Sequence, residues 1–299
     1  MNYQEQFENA CDKGNLSLVK ELIRENSDEI DIHVKDEIIF QNMCCKGYFK
    51  IAKSLIQQGR KEGNPVNILS RDGLAFRLCC DNGHLEIAQW LFQLGKDEAR
   101  PFDIHARDEL AFIWSCERGY LDIAKWLLQL GKQEGRPIDI HVTNESAFRN
   151  SCEKGQLEIA KWLVKISNEQ GSTININYNY RLFRYSFYRC CQNGFINTAK
   201  WLYKFCKEQG YPVMIHTLNE TTIPPISHYN YKKKYKKKYL IVMKWLVRLN
   251  ANITIDDNLY FYQQNHMKQY YKHHIVYFKR FNKHKLENVW NHCSRVDIK

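Results

Sequence analysis

The sequence predicts an all-α protein, a solenoid of paired antiparallel helices joined by short hairpin turns. Three observations carry that prediction. Six glycines, Gly14, Gly47, Gly83, Gly119, Gly155 and Gly194, recur at intervals of 33, 36, 36, 36 and 39 residues. A phenylalanine lies seven positions before each of them and a cysteine three before. A shared pattern follows each glycine, clearest in CDNGHLEIAQWL, CERGYLDIAKWL and CEKGQLEIAKWL. Periods of this size mark stacked units that bury their apolar faces only against one another.

The first helix of each unit follows from the pairs Phe7 and Cys11, Phe40 and Cys44, Phe76 and Cys80, Phe112 and Cys116, Phe148 and Cys152, and Phe187 and Cys191. Residues four apart share a helix face, and the glycine is the expected C-terminal stop. The second helix follows from apolar residues at plus two, four, five, seven and eight after the glycine, as in Leu121, Ile123, Ala124, Trp126 and Leu127. That spacing is helical, and it places Trp90, Trp126, Trp162, Trp201 and Trp245 on the packing side. The helix runs into GKQEGRP, where Gly131, Gly135 and Pro137 are expected to end it; Pro65, Pro101 and Pro212 do the same elsewhere. Between units lie IDIHVKDE, VNILSRDG, FDIHARDE and IDIHVTNE, whose alternating apolar and turn-prone residues predict a projecting hairpin or turn.

Turn, helix, glycine-centred loop and second helix in about 33 residues resembles the ankyrin repeat, most clearly in NGHLEIAQWL, Asn82 to Leu91. The resemblance spans residues 1–219 as six repeats and implies a protein-protein interaction scaffold without enzymatic activity. Two departures stand out. The family's Thr-Pro-Leu-His box is replaced by Leu-Ala-Phe-Arg (Leu74 to Arg77), Leu-Ala-Phe-Ile (Leu110 to Ile113) or Ser-Ala-Phe-Arg (Ser146 to Arg149). Most units also carry three extra residues, which should lengthen the second helix or its exit loop. In style the chain is similar to the divergent ankyrin proteins of giant viruses of amoebae.

Composition is consistent with this reading. Of the 299 residues, 44% are hydrophobic and 26% charged, as in ordinary folded proteins rather than disordered ones. The start, MNYQEQFENACDKGN, has no basic region followed by an apolar one, and the sequence contains no membrane-length apolar run. An intracellular, reducing compartment is therefore expected, cytoplasm or nucleus, with no membrane association and the 11 cysteines as thiols. A monomer is expected. The net charge of +11 is confined to residues 220–299, which hold 16 Lys+Arg against 5 Asp+Glu; residues 1–219 hold 28 of each.

Cysteine beside histidine suggests metal, but six cysteines occupy a position where the ankyrin family has a buried alanine. Packed helices lie about 8–10 Å apart, so equivalent cysteines in neighbouring units are too distant to share a bond or a zinc ion. His33, His105, His141 and His216 recur at one position in the turn, which points to a turn or stacking role. No phosphate loop, nucleophile elbow or isolated acid pair is present. No catalytic residues, metal or cofactor are expected.

Surface recognition remains. Register places Ser70, Arg71, Ala106, Arg107, Val142 and Thr143 at the turn tips, and Arg77, Ile113, Trp114, Arg149 and Asn150 on the first helices. Together they are the candidate partner-binding concave face, an aromatic and arginine mixture that binding hot spots favour.

The last 80 residues are read differently. YKKKYKKKYLIVMKWL places Tyr231, Tyr235 and Lys238 at the phenylalanine, cysteine and glycine positions, so residues 220–257 are expected to form a degenerate seventh repeat. Lys232, Lys233, Lys234, Lys236, Lys237 and Lys238 would then form a basic ridge, and residues 258–299 basic, aromatic capping helices. The main functional expectation is a scaffold for a protein partner. The alternatives are a nucleic-acid, acidic-surface or nuclear-import role for the basic tail, and an adaptor to degradation machinery.

Overall fold

In the computed structural model the described residues are 2–176, 180–211, 241, 242, 245 and 246. The lysine ridge, His216 and residues 258–299 lie outside them. The chain divides into two compact units, Met1–Asn179 and Tyr180–Lys299. Among the described residues there are helices and no strands.

The first unit holds five helix pairs. They are α1 (Tyr3–Asp12) with α2 (Leu16–Asn26), α3 (Val34–Lys46) with α4 (Phe49–Lys61), α5 (Ser70–Asn82) with α6 (Leu85–Asp97), α7 (Ala106–Arg118) with α8 (Leu121–Gln133), and α9 (Val142–Glu153) with α10 (Leu157–Glu169). First helices pack on first helices, α3 on α5, α5 on α7 and α7 on α9, which is the arrangement of a solenoid. The second unit contains the pair α11 (Tyr180–Gln192) and α12 (Ile196–Glu208).

The periodic residues form the core. Phe7, Phe40, Phe76, Phe112, Phe148 and Phe187 are at most 1% exposed, and burial of each stabilises the fold by roughly 1.5–3 kcal/mol. The tryptophans are half-buried and reach the phenylalanine of the preceding repeat: Trp126 lies 6.0 Å from Phe76, and Trp162 6.4 Å from Phe112.

Glycine ends the first helices as expected, with Gly47, Gly83 and Gly119 in the left-handed region at the caps of α3, α5 and α7. The expectation for Gly131 needs correction. It lies inside α8, which continues to Gln133, and a Cβ there would sit 2.8 Å from the Arg136 carbonyl oxygen. Glycine at this position permits the returning backbone to pass close by. The extra residues lengthen the second helix, from 11 residues in α2 to 13 in α4, α6, α8 and α10.

The connections are turns rather than paired strands. Each tip holds three successive residues with positive φ: Lys35–Glu37, Arg71–Gly73, Arg107–Glu109 and Thr143–Glu145. Eleven of these twelve residues have a side chain, and each such residue in the left-handed region costs of order 1–2 kcal/mol. Side chains bonded to three of the four tips offset part of that cost.

Candidate partner-binding face

Three of the four tips are tied to their own helix by a side chain. Gln41 donates through Nε2 to the Asp36 carbonyl oxygen at 2.8 Å, and Arg77 through Nη2 to that of Arg71 at 2.7 Å. Arg149 donates to the Asn144 oxygen at 2.7 Å and the Thr143 oxygen at 3.3 Å. These three residues and Ile113 hold the same register position, one after the core phenylalanine. Ile113 has no donor to offer.

A second set of contacts links tip to tip. Arg107 places Nη2 2.8 Å and Nε 3.3 Å from Asp72 Oδ2. Arg71 Nη2 lies 3.6 Å from Asp36 Oδ2 and donates to the Lys35 carbonyl oxygen at 3.2 Å. Ser70 donates to the Asp36 carbonyl oxygen at 2.9 Å. These ion pairs are solvated, each worth about 0.2–1 kcal/mol, so they order the tips more than they stabilise the fold.

Beneath the tips the recurring histidines pair with a glutamate four residues on. His33 Nδ1 lies 2.8 Å from Glu37, His105 Nδ1 2.7 Å from Glu109, and His141 Nδ1 2.9 Å from Glu145. A carboxylate only accepts, so the ring N–H is the donor. Each glutamate also accepts the backbone N–H of the next turn, Asn67 at 2.9 Å, Asp139 at 3.3 Å and Asn175 at 2.9 Å. The histidines thus hold turns together, and the glutamates complete a bridge between repeats that sequence reasoning had missed. Their constant spacing of four from the histidine was the available signal.

The eleven candidate residues fall into three groups. Arg71, Arg107 and Thr143 are exposed; Ser70, Ala106, Trp114, Val142, Arg149 and Asn150 are half-buried. Arg77 and Ile113, at 4% and 5% exposure, are buried and belong to the support of the face, not to its surface. Arg77 turns back beneath its own tip, where Nη2 meets the Arg71 carbonyl oxygen. Burial pushes the Arg77 and Arg149 guanidiniums below the usual arginine range. Asn150 is engaged with Glu117 at 2.9 Å.

The cysteine column is packing. Cys11, Cys44, Cys80, Cys116 and Cys191 are buried thiols. Burial pushes Cys11 up to about 12 and raises Cys80, Cys116 and Cys191 further still.

Helix pairs stacked through left-handed tips make a repeat solenoid, and one segment of it matches a known family. Residues 7–101 match the family model described as ankyrin repeats, in three copies. Ankyrin repeats indicate a protein-protein interaction domain. No curated protein matches the chain. Among the described residues, no helix is long and apolar enough to cross a membrane.

Proposed function

We propose that the protein is a scaffold that holds a protein partner on the face made by its turn tips and first helices. The observation that carries this reading is the row of exposed Arg71, Arg107 and Thr143 on the turn tips, with half-buried Trp114 on α7 and with Arg71 and Arg107 held by ion pairs to the preceding tips. Rigid placement lowers the ordering cost of binding. The ankyrin match over residues 7–101 supports the same conclusion. The narrower likeness to viral ankyrin proteins rests on sequence pattern alone.

Affinity capture from the organism of origin tests the reading, with the full chain compared against Trp114→Ala and Arg107→Glu variants. Retention of one protein by the full chain and its loss from both variants is expected. Identical retention by all three would remove the face from consideration. Ile113→Asp is unsuitable here because it would bury a charge.

A seventh repeat over residues 220–257 is part of the proposal. Trp245 lies 6.2 Å from Phe187 and 6.0 Å from Tyr203, the relation Trp126 has to Phe76. Hydrogen exchange in α11 should quicken in a Trp245→Ala variant, and unchanged exchange would count against a seventh unit packed there.

A second reading, favoured by the confinement of the +11 charge to residues 220–299, is that this segment binds a polyanion such as nucleic acid. Binding that weakens steeply with salt, and is lost when Lys232–Lys234 and Lys236–Lys238 become glutamine, would support it. Salt-independent binding would exclude it.

A further inference from the structure

The tips form a ladder that stops one step early. In the turns 36 residues apart, the first two left-handed positions read Lys35-Asp36, Arg71-Asp72, Arg107-Asp108 and Thr143-Asn144. Each arginine reaches back to the aspartate of the preceding tip, Arg71 to Asp36 and Arg107 to Asp72. The next step would bring residue 143 to Asp108. Residue 143 is threonine, too short to reach and without charge, and exposed Asp108 has no ion-pair partner among the described residues.

The same tip lacks its second donor. Gln41, Arg77 and Arg149 each donate to carbonyl oxygens of their own turns, but the equivalent residue of the fourth repeat is Ile113. One tip of four therefore has neither the arginine from its neighbour nor the polar side chain from its own helix. Trp114, half-buried, follows Ile113 on that helix. An exposed carboxylate without a partner suits a planar guanidinium, which binds it through two nitrogens, whereas an ammonium binds only as a point charge. The internal precedent is itself an arginine, with Nε and Nη2 of Arg107 both on Asp72.

We infer that Asp108 is the docking point for an arginine of the protein partner, which takes the place that Arg71 and Arg107 occupy on the other tips. The inference rests on the scaffold reading and gives it a partner chemistry: a segment that presents arginine, not an acidic or purely apolar one.

A displayed random-peptide library selected on the full-length protein, at physiological salt, tests it. Peptides recovered on the wild-type chain should carry an arginine whose change to lysine or alanine weakens binding at least about threefold. Asp108→Asn should weaken binding by a similar factor, and the two changes together by no more than either alone, as for groups in direct contact. Thr143→Arg should also weaken binding, because an internal arginine then fills the step. Both substitutions are at exposed tip positions, and thermal melting should be near wild type, since arginine already stands at that position in two other tips.

Peptides that depend on Trp114 but bind Asp108→Asn and Thr143→Arg as tightly as wild type would overturn the arginine docking point and leave the scaffold reading standing. Equal tolerance of lysine would overturn the guanidinium assignment. If no peptide responded to Trp114→Ala, Asp108→Asn or Arg107→Glu, both readings would fall.

Discussion

Gly73 and Phe102 fit one another across the third and fourth repeats: a Cβ on the glycine would lie 2.9 Å from the Phe102 ring. At the equivalent contacts of other repeats, Glu37 faces the turn containing Val66, Glu109 that of Ile138, and Glu145 that of Ile174. Here the carboxylate is gone, His33 and His105 have Leu69 as their counterpart, and the larger ring fills the space. Phe102 stacks on Phe76 at 5.2 Å. Gly73 has φ of +69, yet glutamate occupies that conformation in the other tips, so the ring and not the backbone demands glycine.

Gly73→Glu should therefore destabilise the protein by about 1–3 kcal/mol, the usual cost of overpacking. Phe102→Ile in that background should recover part of the loss. Urea denaturation of the two single variants and the double variant measures the coupling, and simple additivity would contradict the pairing.

Removal of the bridge at another joint should cost a similar amount by a different route. Glu109→Ala leaves the buried His105 ring N–H and the Asp139 N–H without their acceptor, a loss of about 1–3 kcal/mol. Glu86→Ala, at an exposed position on α6, should change stability by less than about 0.5 kcal/mol. Equal effects in thermal melts would mean that the bridge does not contribute.

Thiol reactivity should follow the repeat pattern. Among the described cysteines, half-exposed Cys45 should alkylate first in the native protein, though burial and the nearby Asp81 carboxylate raise its thiol as well. Cys80 and Cys116, fully buried and with thiols pushed far up, should react only on unfolding. Mass spectrometry after timed iodoacetamide treatment distinguishes them; Cys116 labelled as fast as Cys45 would contradict the packing.

Glu98 predicts an acid dependence. Burial raises its carboxyl, but Arg60, 2.6 Å away, and Arg100 outweigh that and hold it below the ordinary 4.5. A carboxyl lowered in the folded state contributes stability above its unfolded value, and that contribution is lost as pH falls through the folded one. Glu98→Gln should therefore melt below wild type at pH 7 and converge with it below pH 4.5. A constant gap across that range would refute the assignment.

Much of the architecture was legible because it is repeated. Phe76, Cys80, Gly83 and Trp126 announce their roles by recurring in register, and each packs or turns as that register requires. The face was legible only in part. Arg77 and Ile113 look like surface residues in a linear register but are buried, and left-handed tips built largely of non-glycine residues leave no compositional mark. The bridge from Glu109 to the Asp139 N–H joins a side chain to backbone 30 residues away, so no pattern of residue types announces its far end.

The exception at Gly73 and Phe102 has one more consequence. Three joints of the stack are closed by directed hydrogen bonds to a carboxylate, and one is closed by hydrocarbon. The two kinds of closure tolerate change differently: a bonded joint fails when one acceptor is removed, whereas the third and fourth repeats are clasped by the fit of a ring against a bare backbone and answer only to volume.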